Sequence, residues 1–334
     1  MTTSMLTAII PIDLKRRPKE LIKRAISLAE NAHHHNVKTI FGHNDRETRY
    51  DKKLKYLIGS VPSAQIVSSI NTSEGINSSL LRNIAFSKVD SNYIILLDAD
   101  IHPDFKLFNK YKEKLKREES PFYILPCLYL TEYGSNILNK NIISTEDAKN
   151  KYFSFSRKEF LHLASPSSIT ILKSSDYAKL DGFNTNYQGH GYEDFDFLLR
   201  LSELHFASGK DYDFLIDKTA RSPLFATGFK KYLGEFCIES LLAKDFAFHL
   251  YHTKDSKENY YSSRKDNYQK FVSLHQHKVS NGQQADPTLI TTFIKRCHDN
   301  DLSIHEYSIL FENKPGHIDR YDTLKRKIQF LFRK

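Results

Sequence analysis

Residues 93–105 read YIILLDADIHPDF and place two acidic side chains directly behind the most apolar run of the chain. The run Tyr93 to Leu97 predicts a buried strand of a parallel sheet, because such strands are continuously apolar rather than alternating. Asp98 and Asp100 follow at its carboxyl end, one residue apart, and alternate side chains of an extended segment share a face. Two carboxylates on one face can hold a divalent cation, so this stretch predicts both a sheet and a metal site at its edge.

Alternating strand and helix patterns surround this stretch. Apolar runs predict strands over 6–12, 37–41, 65–70, 123–130 and 168–172, and helical spacing predicts helices from residue 18 and over 80–89, 105–119 and 193–204. The order predicts an α/β fold with a mainly parallel, Rossmann-like sheet flanked by helices, whose ligands bind beyond the carboxyl ends of the strands. Beyond about residue 255 the pattern is helical, polar and basic. We therefore expect a catalytic domain over 1–255 and a helical basic region over 256–334.

The composition narrows the function classes. The 334 residues, of which 40% are hydrophobic and 27% charged, describe a globular chain with a sizeable core. No apolar run approaches the roughly 18 residues of a spanning helix, and three cysteines fit a reducing compartment. We expect a cytoplasmic protein. Its net charge of +9 attracts polyanions, but no basic and aromatic motif of a nucleic-acid-binding protein is recognisable, so nucleic acid is not an expected partner.

A second acidic group lies in residues 181–201, which read DGFNTNYQGHGYEDFDFLLRL. Two glycines of this segment allow a sharp loop, and Glu193 and Asp194 then fall in the first turn of a predicted helix. A carboxylate that stays ionised there can take a proton from an attacking hydroxyl group, as a general base does. The alternative is that these acids only satisfy the helix N-terminus, with Asp196 and Arg200 forming an i, i+4 pair.

Two histidines form the third group. His249 and His252 follow an apolar run in FHLYHTKDS. A neutral imidazole could complete the coordination of a cation held by Asp100. The alternative is that one or both are hydrogen-bonded structural residues.

Taken in chain order, these motifs resemble a known family. AIIPID near the start, then SEGINSSLLRNIAFSKVDSNYIILLDAD, LDGFNTNYQGHGYEDFDFLLRL and HLYH resemble bacterial inverting GT-A glycosyltransferases of the family 2 type. The segment around residues 182–200 also looks like the C-terminal motif of β-1,4-galactosyltransferases and of the GalNAc-transferring part of chondroitin polymerases. The resemblance covers about residues 6–255. It implies a UDP-sugar donor, Mn2+ or Mg2+, and an oligosaccharide or lipid-linked acceptor of a bacterial capsule or O-antigen.

The resemblance also implies roles for particular residues. Asp98 and Asp100 would form the metal and nucleotide motif, with Asp100 the more direct ligand. His252 would be the remaining metal ligand, with His249 as the alternative. Asp194 would be the catalytic base.

Looser assignments concern the two substrates. The residues implied at the nucleotide are Pro11, Ile12 and Asp13 against the nucleobase, Asp45 at the end of the second strand, and Arg82 and Asn83 before DAD. The galactosyltransferase motif carries a tryptophan before its acidic pair, whereas this chain has no tryptophan. The rings that could stack on the acceptor sugar instead are Tyr187, His190 and Tyr192.

Two rival functions use the same features. A phosphohydrolase of the haloacid dehalogenase type also has DxD after a strand, with its first Asp as nucleophile. Such enzymes usually have Thr or Val two residues after the second Asp, where this chain has His102. A non-catalytic polysaccharide-binding module would account for the charge and for the 19 Tyr and 23 Phe, but most of these aromatics lie within apolar runs and are expected in the core.

The end of the chain is basic and amphipathic. Residues 314–334 carry seven lysines and arginines against two aspartates, with apolar residues at helical spacing. This pattern is typical of a helix that lies peripherally on an anionic membrane surface, here the inner face of the cytoplasmic membrane. A basic helix packed on the catalytic domain is the open alternative.

Overall fold

The computed structural model describes residues 3–70, 75–206, 213–218, 220–253, 263–276, 286, 288–312 and 328, which fall into two units. The first unit holds the described residues up to 123, with 168–206 and 263–276. The second unit holds the remaining described residues. The predicted domain boundary at residue 255 does not coincide with this division, because each unit has residues on both sides of it. That boundary stays a prediction. Of the basic segment 314–334, all but Ile328 lies outside the described residues.

Elements are numbered along the chain. The strands are β1 (Thr3–Asp13), β2 (Val37–Asn44), β3 (Ala64–Ser69), β4 (Ser91–Leu96), β5 (Phe122–Ile124), β6 (Cys127–Leu130), β7 (Phe160–Ala164), β8 (Thr170–Lys173) and β9 (Ala247–His249). The helices are α1 (Pro18–His34), α2 (Arg49–Gly59), α3 (Ser78–Phe86), α4 (Phe105–Lys116), α5 (Glu132–Asn139), α6 (Thr145–Phe153), α7 (Ser174–Lys179), α8 (Glu193–His205), α9 (Gly228–Glu235), α10 (Ile238–Leu242), α11 (Arg264–His275) and α12 (Ile290–Asp299). Short 3-10 helices cover Pro223–Phe225 and Ile304–Phe311.

The first unit is built on a six-stranded sheet with the order β3-β2-β1-β4-β8-β5. The first four strands in this order are parallel, and β8 runs antiparallel to β4. Helix α3 packs against β1 and β2, α1 against β2, and α4 against β8. This arrangement confirms the predicted α/β fold with a mainly parallel sheet flanked by helices. It also brings the carboxyl ends of β1, β2 and β4 to one edge, where Asp13 and Asn44 are register partners.

The prediction of a single strand over 123–130 is wrong. The structure has two strands there, β5 in the six-stranded sheet and β6 in a second sheet. Pro126 lies between them, and a proline has no N–H to donate to a sheet ladder. The chain therefore leaves the first sheet at this point and enters the second unit.

A three-stranded sheet with the order β7-β6-β9 belongs to the second unit. Its apolar face is buried in a core that takes side chains from helices as well as strands: Leu128, Leu130, Leu138, Phe160, Leu163, Leu241, Phe246, Phe248, Phe293 and Tyr307. Among the described residues, no helix is both long enough and apolar enough to cross a membrane.

Gly42 sits where α3 crosses β2, and a larger residue there is expected to be costly. A Cβ atom on Gly42 would lie 1.7 Å from the backbone oxygen of Leu81. Relieving that overlap requires a shift of α3 on the sheet, so Gly42→Ala is expected to lower the free energy of unfolding by about 3 kcal/mol or more. Gly59→Ala is the matched control, because a Cβ there meets nothing within 4 Å. Urea unfolding with equal midpoints for the two variants would contradict this account of the packing.

Candidate active site

Arg82 joins two acidic groups that are far apart in the chain. Its side chain, on α3, is only 2% exposed. The Nη2 atom donates to Asp98 Oδ1 at 2.8 Å, and Nη1 forms an ion pair with Asp194 Oδ1 at 3.3 Å. The guanidinium carbon lies 4.8 Å from the centre of the Phe183 ring. The first acid of DAD and the predicted base therefore share one buried cation.

The two carboxylates of DAD have different partners. Asp98 accepts from Arg82 and also from Ser168 Oγ at 3.2 Å. Asp100 is held by Arg17, whose Nη2 donates to Oδ2 at 2.8 Å, and by Arg24, whose Nη1 donates to Oδ1. Carboxylate oxygens are the ligands that Mg2+ and Mn2+ prefer, so the chemistry of this pair fits a hard divalent cation.

Burial controls the protonation of the two acids that open α8. Desolvation, with the neighbouring Asp194 charge, raises the pKa of Glu193. Desolvation also raises the pKa of Asp194, but there the Arg82 charge opposes it. Glu193 Oε2 has no hydrogen-bond partner among the described residues. A helix N-terminus alone therefore does not keep both acids ionised, and Arg82 is the group that favours the ionised form of Asp194.

Asp196 has a structural position one turn further along α8. It is 2% exposed, forms the predicted i, i+4 pair with Arg200 at 3.0 Å, and contacts His275 Nε2 at 3.0 Å. The helix-stabilising interpretation therefore fits Asp196. The link to His275 on α11 was not predicted, and its separation along the chain leaves no local signal for it.

Asn83 fastens the loop that leads to α8. Its Oδ1 accepts from the Tyr177 hydroxyl at 2.7 Å and from Phe183 N at 2.9 Å, and its Nδ2 donates to Phe183 O at 2.8 Å. Gly182 is required beside it, since a Cβ there would lie 2.4 Å from Asn83 Oδ1 and its φ is +67°. The polar atoms of Asn83 thus serve the loop, and the nucleotide role predicted for it stays a prediction.

A cavity of about 110 Å³ opens at the carboxyl end of β1. Its lining includes the three residues predicted to face the nucleobase, and in full it consists of Pro11, Ile12, Asp13, Arg16, Arg17, Leu21, Ile76, Ser78 and Leu81. Arg16 and Arg17 were not predicted, although a basic pair between a strand end and Pro18 is a visible signal in the sequence.

Both acids predicted near the nucleobase are engaged by basic side chains. Asp13 accepts from Arg46 Nε at 2.9 Å and Nη2 at 2.8 Å, and from Asn44 Nδ2 at 2.8 Å. Burial alone would raise the pKa of Asp13, but these hydrogen bonds hold it below its usual value. Asp45 accepts from Lys55 Nζ at 2.6 Å. A nucleobase in the cavity would therefore lie beside the Asp13 carboxylate, whose negative charge is already neutralised by Arg46.

A further histidine and acid group in the first unit is structural. His43 is fully buried and contacts Asp51 Oδ1 at 2.9 Å and Ser68 Oγ at 3.0 Å. Asp51 in turn forms a capping box with Thr48 at the start of α2. These hydrogen bonds account for the cluster without a metal ion.

The two predicted histidine ligands lie in the second unit. His249 ends β9, and its ring stacks on Tyr129 with centroids 4.1 Å apart. The other face of Tyr129 stacks on His162 at 4.3 Å. The His252 ring follows 5.5 Å from His249. This ladder fixes the plane of the His249 imidazole, while the metal role of either histidine stays a prediction.

The three rings proposed for the acceptor differ in exposure. Tyr187 and Tyr192 are buried, and Tyr192 packs against Tyr268 and Phe271 of α11. His190 is half-buried. Their acceptor role stays a prediction, and His190 is the most accessible of the three.

A family model described as "Glycosyltransferase like family 2" matches residues 8–278. No curated protein sequence matches the chain.

Similar solved structures are distant in sequence. S. aureus TarS (residues 1–349) is 12% identical with a TM-score of 0.39, over 59% of this chain and 55% of that one. Drosophila β1,4-galactosyltransferase 7 in complex with xylobiose is 13% identical with a TM-score of 0.32, over 61% and 63%. Mycobacterium tuberculosis glucosyl-3-phosphoglycerate synthase, in complex with Mn2+, UDP and phosphoglyceric acid, is 10% identical with a TM-score of 0.36, over 60% and 65%. The chain thus spans less than two thirds of each.

Proposed function

Because the chain belongs to the glycosyltransferase-like family 2, we propose that it transfers a sugar from a UDP-sugar, with inversion, to a glycan acceptor. The observation that carries the proposal is the position of Arg82, which binds Asp98 and Asp194 at once. The buried Arg82 guanidinium thereby holds the first acid of the DxD motif close to an acid that is suited to proton removal. A sugar transferase needs these two functions at adjoining places, one for the leaving diphosphate and one for the attacking hydroxyl.

Asp194 acts as the general base in this proposal. Its side chain is 29% exposed, whereas Glu193 is buried and its raised pKa favours the protonated form. The acceptor hydroxyl loses its proton to an Asp194 carboxylate oxygen as its own oxygen attacks the anomeric carbon, from the side opposite the leaving diphosphate. One displacement of this kind inverts the anomeric configuration.

Asp98 and Asp100 would hold the divalent cation, Mn2+ or Mg2+, with His252 or, as the alternative, His249 as the remaining ligand. The carboxylate chemistry of the pair and the family resemblance support this assignment. Such a cation, when bound, neutralises the charge that develops on the leaving nucleoside diphosphate. The nucleoside occupies the cavity beside Pro11, Ile12 and Asp13. We expect UDP-galactose, UDP-GalNAc or UDP-GlcNAc as donor.

The acceptor is proposed to be a growing bacterial surface glycan of the capsule or O-antigen kind, as an oligosaccharide or bound to a lipid. If the acceptor is lipid-linked, membrane binding by the basic segment 314–334 would hold the enzyme close to it. His190, the most accessible of the predicted rings, is the first candidate for contact with the acceptor sugar.

A donor panel tests the proposal. With Mn2+ or Mg2+, one of the three UDP-sugars is expected to release UDP, and Asp100→Ala or a chelator should lower that release roughly 100-fold or more, because a bound cation supplies several kcal/mol of charge stabilisation. Asp90→Ala is the control, since that carboxylate is 69% exposed and pairs with Lys38 on the surface. Release that resists both the chelator and Asp100→Ala would refute the metal assignment.

A further inference from the structure

The second acid of DAD, Asp100, belongs to a network of four charged side chains. Arg17 Nη2 lies 2.8 Å from Asp100 Oδ2, and Arg17 Nη1 lies 3.3 Å from Glu20 Oε2. Arg24 forms ion pairs with the same two acids. The two guanidinium groups and Asp100 are each less than a fifth exposed. These four side chains carry two positive and two negative charges, which balance one another.

Arg17 also belongs to the cavity described above. It lines that cavity while its guanidinium holds Asp100, so one side chain connects the two. Its backbone has φ +48°, a conformation that L-residues rarely adopt. Its Nε is buried and has no hydrogen-bond partner among the described residues. A nucleotide in the cavity would therefore extend its phosphates along a cationic side chain that still has a donor to offer.

We propose that Arg17 and Arg24 are diphosphate-binding residues that move from Asp100 to the phosphates of the donor when Asp100 takes up the divalent cation. The inference rests on the proposed function and adds to it an exchange of partners. Without ligands, the arginines neutralise Asp100. With both ligands present, Asp100 binds the divalent cation, and Arg17 and Arg24 bind the diphosphate. Guanidinium groups bind phosphate oxygens with the same fork that binds a carboxylate.

Charge balance makes the two ligands cooperative. A cation bound alone adds two positive charges beside two guanidinium groups. A diphosphate bound alone adds negative charge beside Asp100 and Glu20. Only the two together restore a nearly neutral network, and in a partly buried site the imbalance is poorly screened. Each ligand should therefore raise the affinity of the other by the same factor.

The test measures binding rather than turnover. Mn2+ binding to the full chain is followed by electron paramagnetic resonance with and without UDP, and UDP binding by calorimetry with and without Mn2+. In the wild type, UDP is expected to strengthen Mn2+ binding about tenfold or more, within the usual range for coupled sites. In Arg17→Gln and Arg24→Gln, Mn2+ alone should bind more tightly, UDP more weakly, and the coupling factor should fall at least threefold.

Lys23→Gln is the matched control. It removes one positive charge from the same helix at an exposed position between the two arginines, so its coupling factor should equal that of the wild type. Thermal melting checks that each variant is folded, and Arg17→Lys and Arg24→Lys, which keep the charge, should retain most of the coupling. If folded Arg17→Gln and Arg24→Gln showed the coupling factor of the wild type, this inference would be wrong but the proposed function would still stand. If the wild type bound no UDP even with Mn2+, the proposed function itself would fail.

Discussion

Asp194→Asn is expected to lower kcat about 100-fold or more while donor binding stays close to that of the wild type. Asparagine has nearly the same shape but cannot accept the proton of the acceptor hydroxyl, and general bases contribute on the order of 100-fold to 10,000-fold. Single-turnover measurement of sugar transfer, with UDP binding measured in parallel, separates loss of chemistry from loss of binding.

Glu193→Gln is the matched control for that experiment. Burial raises the pKa of Glu193, so a neutral glutamine resembles the protonated form that this shift favours. Its kcat should fall by less than about tenfold, well short of the loss expected for a general base. Near-normal turnover by Asp194→Asn, or a product that retains the anomeric configuration of the donor, would exclude the proposed mechanism.

Arg82→Met is expected to reduce both stability and activity. Methionine fills much of the same volume but leaves Asp98 and Asp194 without their shared cation. These carboxylates are 38% and 29% exposed, so water compensates them in part and the free energy of unfolding should fall by about 1–3 kcal/mol. The pKa of Asp194 should rise further, because burial raises it and the Arg82 charge that opposes this effect is lost. Since the base works in its ionised form, the acid limb of kcat/KM should move to higher pH.

Urea unfolding and a pH profile check the two effects separately. Arg117→Met is the control, because Arg117 is 60% exposed and pairs only on the surface with Glu119. That change should alter the free energy of unfolding by less than about 1 kcal/mol. A destabilised Arg82→Met whose pH profile is unchanged would mean that Arg82 supports the fold but does not tune the base.

Local patterns were enough to predict the four parallel strands of the six-stranded sheet and the DxD edge. The continuous apolar run before Asp98 indicates a strand that is buried on both faces. The helical spacing after Pro18 places Leu21, Ile22 and Ala25 on the buried face of α1. The Asp196 and Arg200 pair lies one helical turn apart and is equally local. In each case the residues that interact, or that share a face, are neighbours in sequence.

Other parts of the site depend on approaches that no local pattern encodes. Arg17 and Asp100 are 83 residues apart, and Arg82 and Asp194 are 112 residues apart. Helix α2 was not predicted, although Thr48 and Asp51 form a capping box that signals its start. The preference of Asp100 for two arginines follows from burial and charge at the strand edge, which a sequence does not display.

The contact between Asp196 and His275 can form only late in the synthesis of the chain. These residues are 79 positions apart, yet both belong to the first unit and both are buried. At about 5–20 residues per second, His275 is made roughly 4–16 s after Asp196. In the same helix, Asn267 Nδ2 donates to Gln188 O at 2.8 Å. During that interval the segment 209–253 of the second unit is synthesised, and the first unit still lacks the helix that contacts Asp196.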